Sequence, residues 1–140
     1  MIIIFAGCKK DEGPGGTSTI KGKVIVYDFD HSFQQSSPTL IYPAVDENVY
    51  IIYGTDHTTY DDNYKTTFDG TYEFKYLQKG NYRLFAYSKD STGAYLNNPT
   101  LNDIPSFINV EITKNGSTVT GPDIIILDNN QWQFRNSKIY

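Results

Sequence analysis

The sequence predicts an all-β protein, a β-sandwich of seven short strands, on three observations. Apolar and polar residues alternate at period two along most of the chain, and no 3.6-residue stripe persists. Gly, Asn and Asp punctuate these runs at intervals that suit a multi-stranded β domain. The chain has 12 Tyr and 8 Phe against one Trp and one Met in 140 residues, a mixture that fits pleated, half-buried surfaces better than helices. Alternation by itself fits a small closed barrel as well as a sandwich.

The elements follow in order. Ile20 to Tyr27 reads as the first strand, with Ile20, Gly22, Val24 and Val26 on one face. Asn48 to Tyr53 is the second, with Val49, Ile51 and Tyr53 together. Lys65 to Phe68 is the third. It leads into Asp69-Gly70, a strong hairpin signal because Gly tolerates the positive φ of a type I′ turn. Thr71 to Leu77 follows, with Tyr72, Phe74 and Tyr76 facing one way. Gln78-Lys79-Gly80-Asn81 is a second turn, leading to Tyr82 to Ser88, where Tyr82, Leu84 and Ala86 alternate with Arg83, Phe85 and Tyr87. Phe107 to Thr113 is the sixth strand, and Asn115-Gly116 marks another hairpin turn. Asp123 to Leu127 is the seventh; its nearly continuous apolar run predicts a central strand, or one covered on both faces.

Composition narrows the function classes. One domain is expected from the length. The 39% hydrophobic share supports a packed core. Twelve Lys and Arg against 16 Asp and Glu, net −4, are scattered, so a nucleic-acid footprint is not expected. No apolar run approaches the ~20 residues of a membrane-spanning helix.

Cys8 is the one cysteine, so no internal disulfide can form. It follows an apolar run, Met1 to Phe5, and the small residues Ala6 and Gly7. This resembles the lipobox of bacterial lipoproteins, where the peptide is cut before a cysteine whose thiol carries lipid. The match lacks a basic n-region, and its apolar stretch is shorter than the ~7–15 residues of a signal peptide. A start upstream of Met1 is the expected reason. Residues 1–7 are then a truncated signal peptide. Residues 8–18, charged and then rich in Gly, Pro, Ser and Thr, are a flexible tether. The Cys8-Lys9-Lys10-Asp11-Glu12 start is similar to that of Bacteroidetes-type lipoproteins, which implies a cell-envelope, outer-membrane location with lipid on Cys8 as the membrane contact.

Ile20-Lys21-Gly22-Lys23-Val24, then Val49-Tyr50-Ile51, then Thr66 to Phe74, Leu77, Gly80 to Leu84 and Ala86-Tyr87-Ser88 form an ordered pattern over residues 19–128. The pattern resembles the carboxypeptidase regulatory-like domain. The resemblance implies a seven-stranded Greek-key sandwich, transthyretin-like (prealbumin-like) or Ig-like, and a non-catalytic module. Residues 129–140 become a C-terminal tail or extra edge strand, with Gln131 to Phe134 alternating. The related hydroxyisourate hydrolases carry a Tyr-, Arg- and Gly-rich C-terminal tetrapeptide that Asn136 to Tyr140 lacks.

No catalytic constellation is expected. The two histidines, His31 and His57, accompany no Gly-x-Ser-x-Gly elbow and no His-Glu-x-x-His motif. No cofactor is expected, and no metal. Asp28 and Asp30 are the candidate Ca²⁺ ligands, without EF-hand spacing, and read more simply as turn-forming acids.

Two connections, about Asp28 to Glu47 and Lys89 to Ser106, exceed simple hairpin loops. If strand direction alternates, both lie at the end far from Cys8. Their aromatic and amide residues, Phe29, His31, Phe33, Tyr42, Tyr95, Asn97 and Asn98, are the candidate ligand-binding set; capping of the open core is the competing role. The expected function is a binding or adhesion module for a glycan, a peptide or an envelope protein. The alternative is a structural accessory subunit of an outer-membrane glycan-uptake or fimbrial complex, acting through a face or an edge strand.

Overall fold

The structure, a computed structural model, describes residues 12–29, 37–90 and 103–129. Expectations for residues 1–11, including lipidation of Cys8, lie outside the described residues. So do Asp30, His31, Phe33, Tyr95, Asn97, Asn98 and the C-terminal tail beyond Asn129.

Two sheets face each other across one core, as a sandwich requires. Among the described residues there are nine strands rather than seven: β1 (Pro14–Asp28), β2 (Leu40–Pro43), β3 (Asn48–Tyr53), β4 (Asp62–Lys65), β5 (Thr71–Leu77), β6 (Gly80–Lys89), β7 (Asp103–Ile112), β8 (Thr118–Thr120) and β9 (Ile124–Asp128). β1 is the axis of the first sheet. Val24 donates its N–H to Gly70 O, and its carbonyl accepts from Ala44 N. Both groups of one strand residue point the same way, so β5 and β2 share one flank of β1. β8 and β9 run parallel to β1 along the other flank. The second sheet is antiparallel throughout, in the order β4-β3-β6-β7.

The core consists of the inward residues that alternation selects: Ile20, Val24 and Val26 from β1, Val49 and Ile51 from β3, Tyr72 and Phe74 from β5, Leu84 and Ala86 from β6, Val110 and Ile112 from β7. Tyr76 departs from the pattern. It takes φ 61° and turns its ring to solvent, next to the register shift in which Pro14 and Ser18 of β1 both oppose Leu77.

Three expected hairpins are corrected. The Asp69-Gly70, Gln78–Asn81 and Asn115-Gly116 turns all exist as reversals. Each passes the chain from one sheet to the other, because β4, β6 and β7 lie in the second sheet while β5 and β8 lie in the first. The Asp69-Gly70 turn is also not type I′, which needs positive φ at both central residues. Gly70 has φ 77°, but Asp69 does not take a positive φ. The bond from Gly70 N to Thr67 O places Gly70 last in the turn instead.

β9 is corrected as well. It has β1 on one side only, so it is an edge strand rather than a central one, while the alternative expectation of cover on both faces holds, since none of its residues is exposed. Side chains of the second sheet close its outer edge. Ser106 Oγ donates to Ile125 O at 2.8 Å, Leu127 N donates to Ser88 Oγ at 2.8 Å, and Lys89 Nζ sits 2.7 Å from Asp128 Oδ1.

The tether is shorter than expected. β1 begins at Pro14, so residues 14–18 belong to the sandwich. Gly13 O accepts from Gln78 N, and Tyr82 Oη accepts from Gly13 N. Gly16 makes the close approach possible, because a Cβ there would lie 2.0 Å from Leu77 O. A Gly- and Pro-rich composition signals freedom, but here the same glycines let the chain pass close to β5.

Candidate functional site

The residues of β3, β6 and β7 that alternate with the core set face outward on the second sheet. A soluble sandwich places polar residues there. This sheet places rings there. Pairing brings Tyr50 opposite Phe85 and Phe85 opposite Phe107. Strands lie ~4.8 Å apart, and the ring centroids follow: Tyr50 to Phe85 is 5.0 Å and Phe85 to Phe107 is 5.0 Å. Tyr87 packs edge-on against both Tyr50, at 5.6 Å, and Phe85, at 5.5 Å. Tyr60, from the segment between β3 and β4, lies 4.7 Å from Tyr50. Phe85 is buried and Tyr50 half-buried, so they form a floor. Tyr60, Tyr87 and Phe107 form a rim at 49%, 44% and 49% exposure.

The next row along the strands is mixed, with Ile52 buried and Arg83 and Asn109 polar. Arg83 stands between Ile52 and Asn109. Its guanidinium carbon is 5.7 Å from the centre of the Phe107 ring, within cation–π range. Beyond it a cleft of about 320 Å³ is lined by Thr55, Asn81, Tyr82, Asn109, Val110 and Glu111. That volume is near the lower bound for a small-ligand site. The cleft meets Asn109, two residues along β7 from Phe107, while Tyr50, Tyr60, Phe85, Tyr87 and Phe107 do not line it.

Segment 54–61 carries Tyr60 and is tied to the sheet at several points. Gly54 N donates to Asn81 O, Asp61 N to Ile51 O, and Tyr53 N to Asp61 Oδ2 at 2.7 Å. Arg83 Nη2 donates to His57 O at 2.5 Å. His57 closes the segment on itself, with Nδ1 3.0 Å from Asp56 Oδ1 and Nε2 2.8 Å from Asp61 Oδ2. A carboxylate at each ring nitrogen favours the imidazolium form, in which both nitrogens donate. Hydrogen bonds to Asp56 and then Asp61 raise the His57 pKa above its ordinary 6.5, and the bond to His57 lowers that of Asp56. The linkage has a definite sign. The His57 contribution is full below pH 6.5 and is lost as pH rises through the raised value; the Asp56 contribution is lost as pH falls through its lowered value. An NMR titration of His57 is therefore expected to give a midpoint above 6.5 that falls in Asp61→Asn. A midpoint at or below 6.5 in the unaltered chain would contradict this geometry.

Of the expected loop residues, Phe29 and Tyr42 are described, and both lie away from this surface. Both long connections start from the pole opposite Glu12, where β1 ends at Asp28, β6 ends at Lys89 and β7 begins at Asp103. Phe29 is half-buried and donates its N–H to Asp128 O. Tyr42 Oη donates to Asp28 Oδ2 at 3.4 Å, and its pKa is pushed up to about 12 by burial, then by the Asp28 and Asp128 carboxylates. Asp28, a candidate Ca²⁺ ligand, is 2% exposed. Among the described residues no three His, Cys, Asp or Glu side chains gather as a metal site would require. Phe29, Tyr42 and Asp28 thus mark the far pole, while the aromatic surface lies mid-sheet and its cleft reaches toward Glu12, whose Oε1 accepts from Asn81 N at 3.3 Å.

Sequence reasoning missed the aromatic surface, although its signal was present. Tyr50, Phe85, Tyr87 and Phe107 occupy positions where the alternation reserves polar residues for solvent.

No family model matches the chain, and no curated protein matches it. Among solved structures it is similar to a candidate carbohydrate-binding protein from Pseudomonas aeruginosa. The two are 10% identical, the match covers 82% of this chain and 90% of that one, and the TM-score is 0.47.

Proposed function

We infer that the chain is a non-catalytic carbohydrate-binding module that holds a glycan on the outer aromatic surface of its second sheet. One observation carries the reading: a three-ring rim over a two-ring floor lies one row of residues from a cleft that Asn81 and Asn109 line. A pyranose has C–H faces that pack on the electron-rich faces of aromatic rings, and a girdle of hydroxyls that need donors and acceptors. Tyr60, Tyr87 and Phe107 supply the first. Thr55, Asn81, Asn109 and Glu111 supply the second.

The lipid on Cys8, the envelope location and the kinship with carboxypeptidase regulatory-like domains belong to the same proposal. The lipobox-like residues and the ordered strand pattern support them. The second reading, an accessory subunit of an envelope complex, has one observation in its favour. Leu40 and Ile41 of strand β2, with Val45 just beyond it, are exposed beside the flank of the first sheet.

A screen of the full chain against immobilised glycans tests the first reading. The expected result is retention on a defined set of glycans. A folded chain that binds none of them overturns it.

A further inference from the structure

Arg83 is the cation of the aromatic surface, and its electrostatic surroundings are incomplete. Among the described residues it makes no ion pair, and its one hydrogen bond goes to a neutral acceptor, the carbonyl of His57. Its Nε is buried and has no hydrogen-bond partner. The carboxylates nearest along the chain segment it touches, Asp56 and Asp61, are taken by His57. Glu111 lines the far part of the cleft, opposite Asn81, two pairs of residues further along the sheet. A partly buried guanidinium with no counter-charge is costly to maintain, and an oxyanion that reaches its terminal Nη groups, which unlike Nε are not sealed from solvent, supplies that charge.

We propose that Arg83 is the anion subsite of this surface, and that the glycan it takes carries a carboxylate or sulfate on the sugar packed against Phe107. This rests on the reading of the surface as a glycan site and adds the chemical class of the glycan. The terminal edge of the Arg83 fork, Nη1 with the second hydrogen of Nη2, matches an oxyanion held end-on by two N–H···O bonds. Phe107 places its ring centre 5.7 Å from the guanidinium carbon, and Asn109, paired with Arg83, offers an amide to the neighbouring hydroxyl. Glu111 meets only hydroxyls in this arrangement and so repels a glycan placed in the reverse direction. Either oxyanion source satisfies the geometry, and the test separates them.

The test measures binding of the full chain to an oligogalacturonate and to the same oligosaccharide with its carboxyls reduced to alcohols. A sulfated oligosaccharide and its desulfated form give the second pair. The expected result is at least tenfold tighter binding of the acidic member of one pair, weakening as salt is raised. Arg83→Gln is expected to bring the acidic-to-neutral ratio to about one. Arg83→Lys keeps the charge but loses the fork and is expected to fall between. Equal binding of acidic and neutral members by the unaltered chain overturns the anion subsite and leaves the glycan reading intact. Failure of a folded chain to bind any member, and any glycan in the screen, overturns both. The unaltered chain decides the question even where a variant fails to fold.

Discussion

Phe107→Ala and Tyr87→Ala are each expected to weaken glycan binding by roughly 30-fold, about 2 kcal/mol, the loss typical when a central aromatic anchor is truncated. Both rings are half-exposed on the rim, so they offer a face to a ligand while packing against the buried Phe85. Removing either takes away ligand contact and leaves the core strands in place. Phe68→Ala is the control. Phe68 is more exposed than either, at 85%, but sits in the turn between β4 and β5, away from the surface. It is expected to leave binding unchanged. Isothermal titration with a glycan retained in the screen reads all three. Equal losses in Phe68→Ala and Phe107→Ala would mean that ring exposure, and not this surface, governs binding.

The second large effect concerns two tyrosines for which the same substitution has opposite consequences. Tyr82 Oη accepts from Gly13 N at 2.9 Å and donates to Gln78 O at 2.7 Å, so it fastens the start of the chain to the β5–β6 turn. Tyr82→Phe leaves a buried N–H and a carbonyl without that partner and is expected to cost ~1–3 kcal/mol. Tyr72 Oη is buried with no hydrogen-bond partner, and burial, with Asp123 as a smaller cause, raises its pKa. Tyr72→Phe removes a hydroxyl that was desolvated without compensation. It is expected to leave stability unchanged or raise it by about 1 kcal/mol. For a chain of this size 1 kcal/mol moves the melting temperature by roughly 3–5 °C, so thermal unfolding resolves the pair. A loss of stability in Tyr72→Phe equal to that in Tyr82→Phe would contradict the hydrogen-bond assignments.

Local pattern and tertiary outcome diverge at identifiable places. The strands around Ile20, Val49, Tyr72 and Leu84 were readable because each buries one face, and alternation is the direct imprint of one-sided burial. β2 and β8 were not. They have four and three residues, and none of them is buried. β4 lies at Asp62–Lys65 rather than Lys65 to Phe68, because Phe68 has strand-like chemistry but sits exposed in a turn. The glycine turns were readable as reversals. Which sheet receives the next strand depends on partners distant in sequence, such as Lys23 opposite Thr71, and no local signal carries that.

The candidate site followed the same logic. Long loops drew attention because unstructured connections usually have a role, and Phe29 and Tyr42 do mark the far pole. The aromatic surface was hidden by a different effect. Arg83, Phe85 and Tyr87 look ordinary in a strand, and they become unusual only when Tyr50 and Phe107 join them across the register and Tyr60 arrives from segment 54–61. No single strand contains the surface; pairing assembles it.

The most direct test of the central claim is an NMR titration of the isotope-labelled full chain with a glycan retained in the screen. Shift changes are expected to centre on Tyr60, Tyr87, Phe107 and Asn109 and to extend to Asn81 in the cleft. Changes confined to Asp28, Tyr42 and Lys89 at the opposite pole would contradict it and move recognition to the long connections.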